Sequence, residues 1–272
     1  MPSMDISNQL LGYKAISVFH DNVHYGLNPH QGLVVLLDAK KGLINCLIEG
    51  STLTALRTAA VSAVATDLLS RPDSTRLALI GAGRQALEHI KAIAKIRPID
   101  TVYLYSRSTK TISRFIHKLQ LEQIFKIVVS EEPKEAVQKA DIVVTSTPSK
   151  KALLDLADFK EGVHINAIGA CQPGFQEINL YDHYSLKIYF DCKDACLLES
   201  DEIINPLTQK KLSEESIIGE LGDCLTHKIA GRTSKKEITL FKGVGLGIED
   251  VYAADYFYKK ALKQQIGQKI TL

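Results

Sequence analysis

Ten residues, Leu77-Ala78-Leu79-Ile80-Gly81-Ala82-Gly83-Arg84-Gln85-Ala86, carry the clearest chemical signal in the chain. They read as a short apolar strand, a glycine turn and the first turn of a helix. Gly81 permits a tight exit from the strand. Gly83 lets backbone N–H groups approach an anion closely, and Ala86 is the small residue at which helix and strand pack. The positive end of the helix then faces that anion. Such a turn suits the diphosphate of a dinucleotide, with Gly81, Ala82, Gly83, Arg84 and Gln85 as its candidate cradle. G-x-G-x-x-A alone also describes an ordinary glycine turn. Here it lies between Leu77–Ile80 and the helical repeat Leu87, Ile90, Ile93, Ala94, the context that the dinucleotide reading requires.

The residues after the next strand bear on which dinucleotide. NAD-specific folds place a carboxylate there to accept from the ribose hydroxyls. This chain has Ser106-Arg107-Ser108-Thr109-Lys110, with no carboxylate. A guanidinium flanked by hydroxyls holds a 2′-phosphate through charge-assisted hydrogen bonds. NADP is therefore expected ahead of NAD, and the alternative is that Arg107 stacks on the adenine without discriminating. Thr145, Ser146 and Thr147 close a later strand at the edge where the nicotinamide half belongs. They are further cofactor candidates, or else hydroxyls that cap the next segment.

These residues need a scaffold, and the hydrophobic pattern supplies one. Apolar strands at Leu77–Ile80, Val102–Tyr105, Lys126–Val129, Asp141–Thr145 and His164–Ile168 alternate with helical candidates at Thr109–Leu119 and Glu132–Ala140. Continuous apolar strands separated by helices predict an α/β fold, a Rossmann-type doubly wound parallel sheet with both faces covered. The flanks read differently. Lys14–Phe19, Leu33–Asp38 and Leu43–Glu49 predict a β-meander, and residues 213–230 and 250–264 read as helical. Residues 1–55 with 193–272 are read as one smaller, discontinuous α+β domain, with the nucleotide domain, 56–192, inserted into it.

Composition narrows the function classes. The 272 residues carry 33 Lys+Arg against 31 Asp+Glu, a net charge of +2 that argues for neither nucleic acid nor an acidic membrane surface. No apolar run approaches bilayer length, and the start, Met1-Pro2-Ser3-Met4-Asp5, lacks the pattern of a secretory signal. Five cysteines without C-x-x-C spacing fit reduced thiols in a cytoplasm, and no zinc set is completed.

Several stretches resemble the ornithine cyclodeaminase/mu-crystallin family: Ser17-Val18-Phe19-His20-Asp21-Asn22, His30-Gln31-Gly32, Thr54-Ala55-Leu56-Arg57-Thr58-Ala59-Ala60, the Gly81 turn, Ile165-Asn166-Ala167-Ile168-Gly169, and Gly231-Arg232-Thr233-Ser234 continuing through Glu237–Lys242. The resemblance implies a homodimer whose subunits each have a nucleotide domain and a dimerisation/substrate domain, with the site in the cleft between them. It implies hydride transfer at the α-carbon of a small amino or imino acid. The nicotinamide cofactor supplies the redox chemistry.

The same resemblance assigns roles. Arg57, in a run of small apolar residues where a solvated arginine is unexpected, matches the family's carboxylate-binding arginine; the plainer reading is a structural pair with an Asp or Glu elsewhere. Lys14 matches the active-site lysine, and burial beside Arg57 would lower its pKa and suit it to acid/base work. Cys171 stands where cyclodeaminases carry an aspartate. A thiol is a poor partner for a cationic amine, so Cys171 reads as a pocket-lining residue before a nucleophile. His30 suits a proton relay or a fixed loop hydrogen bond. Glu249 and Asp250 suit the start of the last helix, and Gly243–Gly247 a close backbone approach to the nicotinamide. Two departures stand out. The chain begins late relative to the family, without the stretch that usually supplies another carboxylate-binding arginine. Leu27-Asn28-Pro29-His30 also replaces the usual Pro-Thr-His. Three readings stay open at this point: an imine reductase or amino-acid dehydrogenase, an ornithine cyclodeaminase, and a non-catalytic NADPH- or ligand-binding homodimer.

Overall fold

The computed structural model describes residues 1–27, 30–120 and 125–270, with the backbone alone at His20, Val23, His30 and Gln120. Asn28 and Pro29, and the side chain of His30, therefore lie outside the described residues. The chain forms two compact units, residues 1–57 with 245–272, and residues 58–244.

The first unit opens with strands β1 (Pro2–Asp5), β2 (Leu10–Val18), β3 (His30–Asp38) and β4 (Ile44–Glu49), antiparallel and in that spatial order. This is the expected meander with one strand more. Helix α1 (Gly50–Leu69) follows directly, and the Glu49 carboxylate accepts the N–H groups of Ser51 and Thr52 at 2.7 Å each. A carboxylate there satisfies first-turn donors and complements the helix dipole.

The second unit begins within α1 and contains β5 (Arg76–Ile80), α2 (Arg84–Ile93), β6 (Thr101–Tyr105), α3 (Thr109–Gln120), β7 (Lys126–Val129), α4 (Pro133–Gln138) and β8 (Ile142–Thr145). It continues with β9 (Leu154–Asp155), β10 (His164–Ala167), β11 (Ile178–Asn179), β12 (Leu186–Phe190), α5 (Lys193–Glu199), α6 (Asp201–Thr208), β13 (Ile217–Glu220), α7 (Leu221–Leu225) and β14 (Ile238–Lys242). Eight strands form one parallel sheet in the order β13-β12-β14-β10-β8-β5-β6-β7. Alternate β5 residues serve opposite faces: Leu77 and Leu79 join Ile90, Ile93 and Phe115 on one, while Ala78 and Ile80 join Val137, Leu156 and Phe159 on the other. Each such buried Leu or Ile contributes about 1.5–3 kcal/mol. Two covered faces make this the Rossmann-type doubly wound sheet that the apolar strands imply.

Helix α8 (Gly247–Gln264) returns the chain to the first unit. There Val251 and Ala254 pack against Leu10, Val34, Leu36 and Leu53.

Two expectations need correction. Residues 213–230 are not one helix: they form a short 3-10 turn (Glu214–Ser216), then β13 and α7. Gly219, at φ +151°, and pairing with β12 break the helical reading. The boundary read at residue 193 also moves. Strands β14 and β13 flank β12 in the parallel sheet, so the second unit runs to Val244.

Candidate active site

In the second unit, β5 leads on to β6 and β7 along one side of the sheet while β8 lies on its other side. The strand order therefore reverses between β5 and β8, and open α/β sheets bind ligands outside the carboxyl ends of strands at such a point. Gly81 leaves β5 there at φ +108°. A Cβ on it would sit 2.9 Å from the Ser146 carbonyl and 3.2 Å from Thr147 Cγ2, so two turns meet where only glycine fits. Gly83 differs: a Cβ built on it meets nothing within 4 Å. It is also the N-cap of α2, where no side chain caps the helix start. Open space ahead of an uncapped helix N-terminus is what a diphosphate needs.

A cleft of about 170 Å³ lies here, lined by Gly81, Ala82, Gly83, Ser106, Arg107, Ser146 and Thr147 among others. The Ser146 hydroxyl is buried without a hydrogen-bond partner among the described residues. These features fit a dinucleotide. Other expected cofactor residues sit elsewhere. Arg84 and Gln85 open α2 and do not line the cleft. Ser108 accepts from the Thr111 N–H at 3.3 Å, at the start of α3. Thr145 is fully buried, and both its hydroxyl and that of Thr147 turn to a carboxylate that sequence reading passed over, Glu177.

Glu177 belongs to a buried set with Glu202 and Lys242. Lys242 Nζ lies 2.9 Å from Glu202 Oε2, and all three residues are inaccessible to solvent. Burial, and then the neighbouring Glu202, push the Glu177 carboxyl up to about 7, against the pull of Lys242 and the threonine hydroxyls. Burial alone would lower the Lys242 ammonium, but Glu202 and Glu177 hold it above its ordinary value. One signal was readable: Lys242 ends the apolar run Ile238-Thr239-Leu240-Phe241, where a lysine needs a buried partner. Cys171 is exposed, four residues beyond the end of β10.

In the first unit, β2 points Lys14 toward the face covered by α8, whose first turn carries Glu249 and Asp250. Lys14 Nζ lies 2.8 Å from Asp250 Oδ2. Arg57 donates through Nε to Asp250 Oδ1 at 3.0 Å and through Nη1 to Glu249 Oε2 at 2.7 Å. Asp250 thus bridges both expected cations, and Arg57 has the acidic partners that its plainer reading called for. Burial and the Arg57 charge lower the Lys14 pKa, opposed by Asp250 and Glu249. Glu249 also accepts from the Leu246 N–H at 3.4 Å, so the two acids serve both the helix start and the cations.

Arg232 and His89, by contrast, are structural. Arg232 donates to the carbonyls of Leu69, Val163, Ser234 and Glu237. His89 is sealed between the Gln85 carbonyl and Ser62, and burial lowers it to about 4.

The profile of the ornithine cyclodeaminase/mu-crystallin family matches residues 1–265. A Delta(1)-pyrroline-2-carboxylate reductase of Bacillus cereus is 35% identical over 271 residues, 99% of this chain and 83% of that protein. The ketimine reductase mu-crystallin of Mus musculus is 30% identical over 258 residues, 95% of this chain and 78% of that protein. Among solved structures, the Thermococcus litoralis Delta(1)-pyrroline-2-carboxylate reductase in complex with NADH and L-proline superposes with a TM-score of 0.94 at 33% identity, covering 99% of this chain and 84% of that one. A match running almost end to end, on a sheet with this glycine turn, makes the chain a member of the ornithine cyclodeaminase/mu-crystallin family.

Proposed function

We propose that this chain is an NADPH-dependent reductase of a small cyclic α-imino acid. The broader class is a nicotinamide-dependent oxidoreductase of the carbon–nitrogen bond of small imino or amino acids. Within it, the relatives named for imine reduction, and Cys171 at the position where the resemblance implies an aspartate in cyclodeaminases, favour imine reduction over cyclodeamination. The observation that carries the reading is the open Gly83 turn of the second unit, and the Lys14–Asp250–Arg57 cluster within the first unit supports it separately.

When bound, the nucleotide supplies hydride. The backbone of Gly81, Ala82 and Gly83 and the start of α2 would hold its diphosphate. Arg107, exposed on the cleft wall with no carboxylate nearby in sequence, would take the 2′-phosphate. Arg57 would hold the substrate carboxylate and Lys14 would give a proton to the imine nitrogen. The cluster as it stands has two cations and two carboxylates, so its formal charges cancel. A bound carboxylate adds one negative charge. That raises the Lys14 pKa and keeps the proton on Lys14 until it is needed.

We also propose a homodimer. The β-meander face turned away from α8 is apolar and partly exposed, with Tyr13 41% and Leu47 51% exposed on either side of the buried Val35. A second copy of the chain would cover it. Five thiols without a disulfide support a reducing, cytoplasmic setting.

The test is loss of NADPH absorbance with five- and six-membered cyclic imino carboxylates, against ornithine, alanine and proline in the oxidative direction. Turnover of the imines that disappears in Lys14→Ala and Arg57→Ala is expected. Nucleotide binding with no turnover of any of these compounds would sink the reading.

A further inference from the structure

We propose that Glu177 is a positioning residue, which fixes the turns after β8 and β10 and so sets how the nicotinamide half of the nucleotide is presented, not how tightly the nucleotide is held. This rests on the nucleotide reading of the cleft.

The carboxylate has four donors, divided evenly. Oε1 accepts the Thr147 N–H at 2.6 Å and the Thr147 hydroxyl at 2.7 Å. Oε2 accepts the Thr145 hydroxyl at 2.8 Å and the Gly169 N–H at 2.9 Å. Each oxygen thus takes one backbone N–H and one hydroxyl, from two turns on neighbouring parallel strands. The packing is as tight as the bonding: a Cβ on Gly169 would lie 2.4 Å from Thr147 N and 2.6 Å from Glu177 Oε1. Thr147 in turn abuts Gly81 at the cleft.

Glu177 is itself anchored. Its N–H and that of Ile178 donate to Glu202 Oε1 at 2.9 and 2.7 Å, and Lys242 holds Glu202 from behind. Two buried carboxylates with one buried ammonium are a costly way to brace a loop, since apolar packing of the same volume braces as well without that penalty. What apolar packing cannot do is aim two backbone amides at one rigid plane. That places Glu177 behind the cleft as a template for its far end.

The symmetry of the bonding makes a sharp test, because Glu177→Gln is not conservative here. A threonine hydroxyl can rotate to accept from an amide NH2, but a backbone N–H cannot. One of the two N–H groups must then face a donor, and its turn must shift. The experiment compares wild type and Glu177→Gln for ADP-ribose and 2′-phospho-ADP-ribose affinity, NADPH affinity, melting temperature and kcat with a cyclic imino carboxylate. We expect kcat to fall about tenfold or more while the affinity for the ribose diphosphates, which lack nicotinamide, stays within about twofold. A kcat within about twofold of wild type overturns the proposal, and so does ribose-diphosphate affinity that falls in step with kcat. Should Glu177→Gln not fold, Thr147→Val removes a single hydroxyl donor. It should lower kcat about threefold at unchanged ribose-diphosphate affinity, and an unchanged kcat overturns the proposal. Wild-type protein that binds none of these nucleotides overturns the nucleotide reading itself; wild-type turnover matched by Glu177→Gln overturns only the role of Glu177.

Discussion

The Lys14 ammonium sits 2.8 Å from the Asp250 carboxylate, and the two side chains are 4% and 0% exposed. Asp250 is the counter-ion that lets a lysine shed part of its hydration and stay charged, and Arg57 shares it. Asp250→Asn keeps the shape and removes the charge. The Lys14 pKa, already lowered by burial and by Arg57, should drop further, and the alkaline limb of kcat/KM should move to lower pH. Arg57 keeps Glu249, but the buried Lys14 ammonium loses its counter-ion, which should cost about 3–5 kcal/mol in denaturant unfolding. A limb that does not move says that Lys14 does not carry the proton.

Two glycines two residues apart should respond oppositely to the same substitution. Gly81→Ala places a Cβ 2.9 Å from the Ser146 carbonyl at a positive φ, so it should cost about 1–3 kcal/mol of stability. Gly83→Ala meets nothing in the protein and should leave stability within about 0.5 kcal/mol. It should nevertheless weaken NADPH binding about tenfold, because its methyl occupies the diphosphate's approach. Fluorescence titration beside a urea melt separates the two effects.

Arg107→Ala should erase the proposed preference for NADPH. The loss of NADPH affinity should be about tenfold, or ~1.4 kcal/mol, with NADH affinity nearly unchanged. If both affinities fall together, Arg107 contacts the adenine and does not choose between the nucleotides.

Two buried groups tilt stability in opposite directions with pH. Folded Glu177 titrates at about 7 against 4.5 in the free side chain, so the native state binds the extra proton. Its contribution is fully present below 4.5 and is lost as pH rises through about 7. His89 titrates at about 4 against 6.5, so its contribution is present above 6.5 and lost as pH falls through about 4. The stability gap between wild type and Glu177→Gln should therefore narrow from pH 5 to pH 8, as read by thermal melts in matched buffers. A gap that widens over that range contradicts the raised Glu177.

The double variant Tyr13→Lys with Leu47→Lys puts two ammonium groups on the outer face of the meander, either side of the buried Val35. Sedimentation velocity should show dimer for the wild type and monomer for the variant. A wild-type monomer removes the proposed assembly.

What the sequence revealed divides along local and distant information. The Gly81 turn, its strand and its helix are contiguous, and continuous apolar runs mark parallel strands because both sheet faces are covered. Residues 213–230 misled because Ile217, Ile218, Leu221 and Leu225 fall at helical spacing, while pairing with β12 draws the first of them into a strand. Lys14 and Arg57 stood out as ions in apolar surroundings, but Asp250 is far from both in sequence and gives no local sign that it joins them. Glu177 was quieter still. It follows a Gly-Phe-Gln loop, and only the return of β8 and β10 beside it shows four donors converging on one carboxylate.

The placement of the thiols has a bearing on damage. Cys196 is buried, donates to Asp191, and is pushed up by burial; Cys224 is buried and raised as well. Cys171 is the exposed one of the five, two residues beyond Gly169. An oxidant arriving from outside therefore finds its first sulfur beside the working end of the sheet while the hydrophobic interior keeps its own out of reach. Surface oxidation would thus begin at Cys171, ahead of the two sulfurs sealed in the interior.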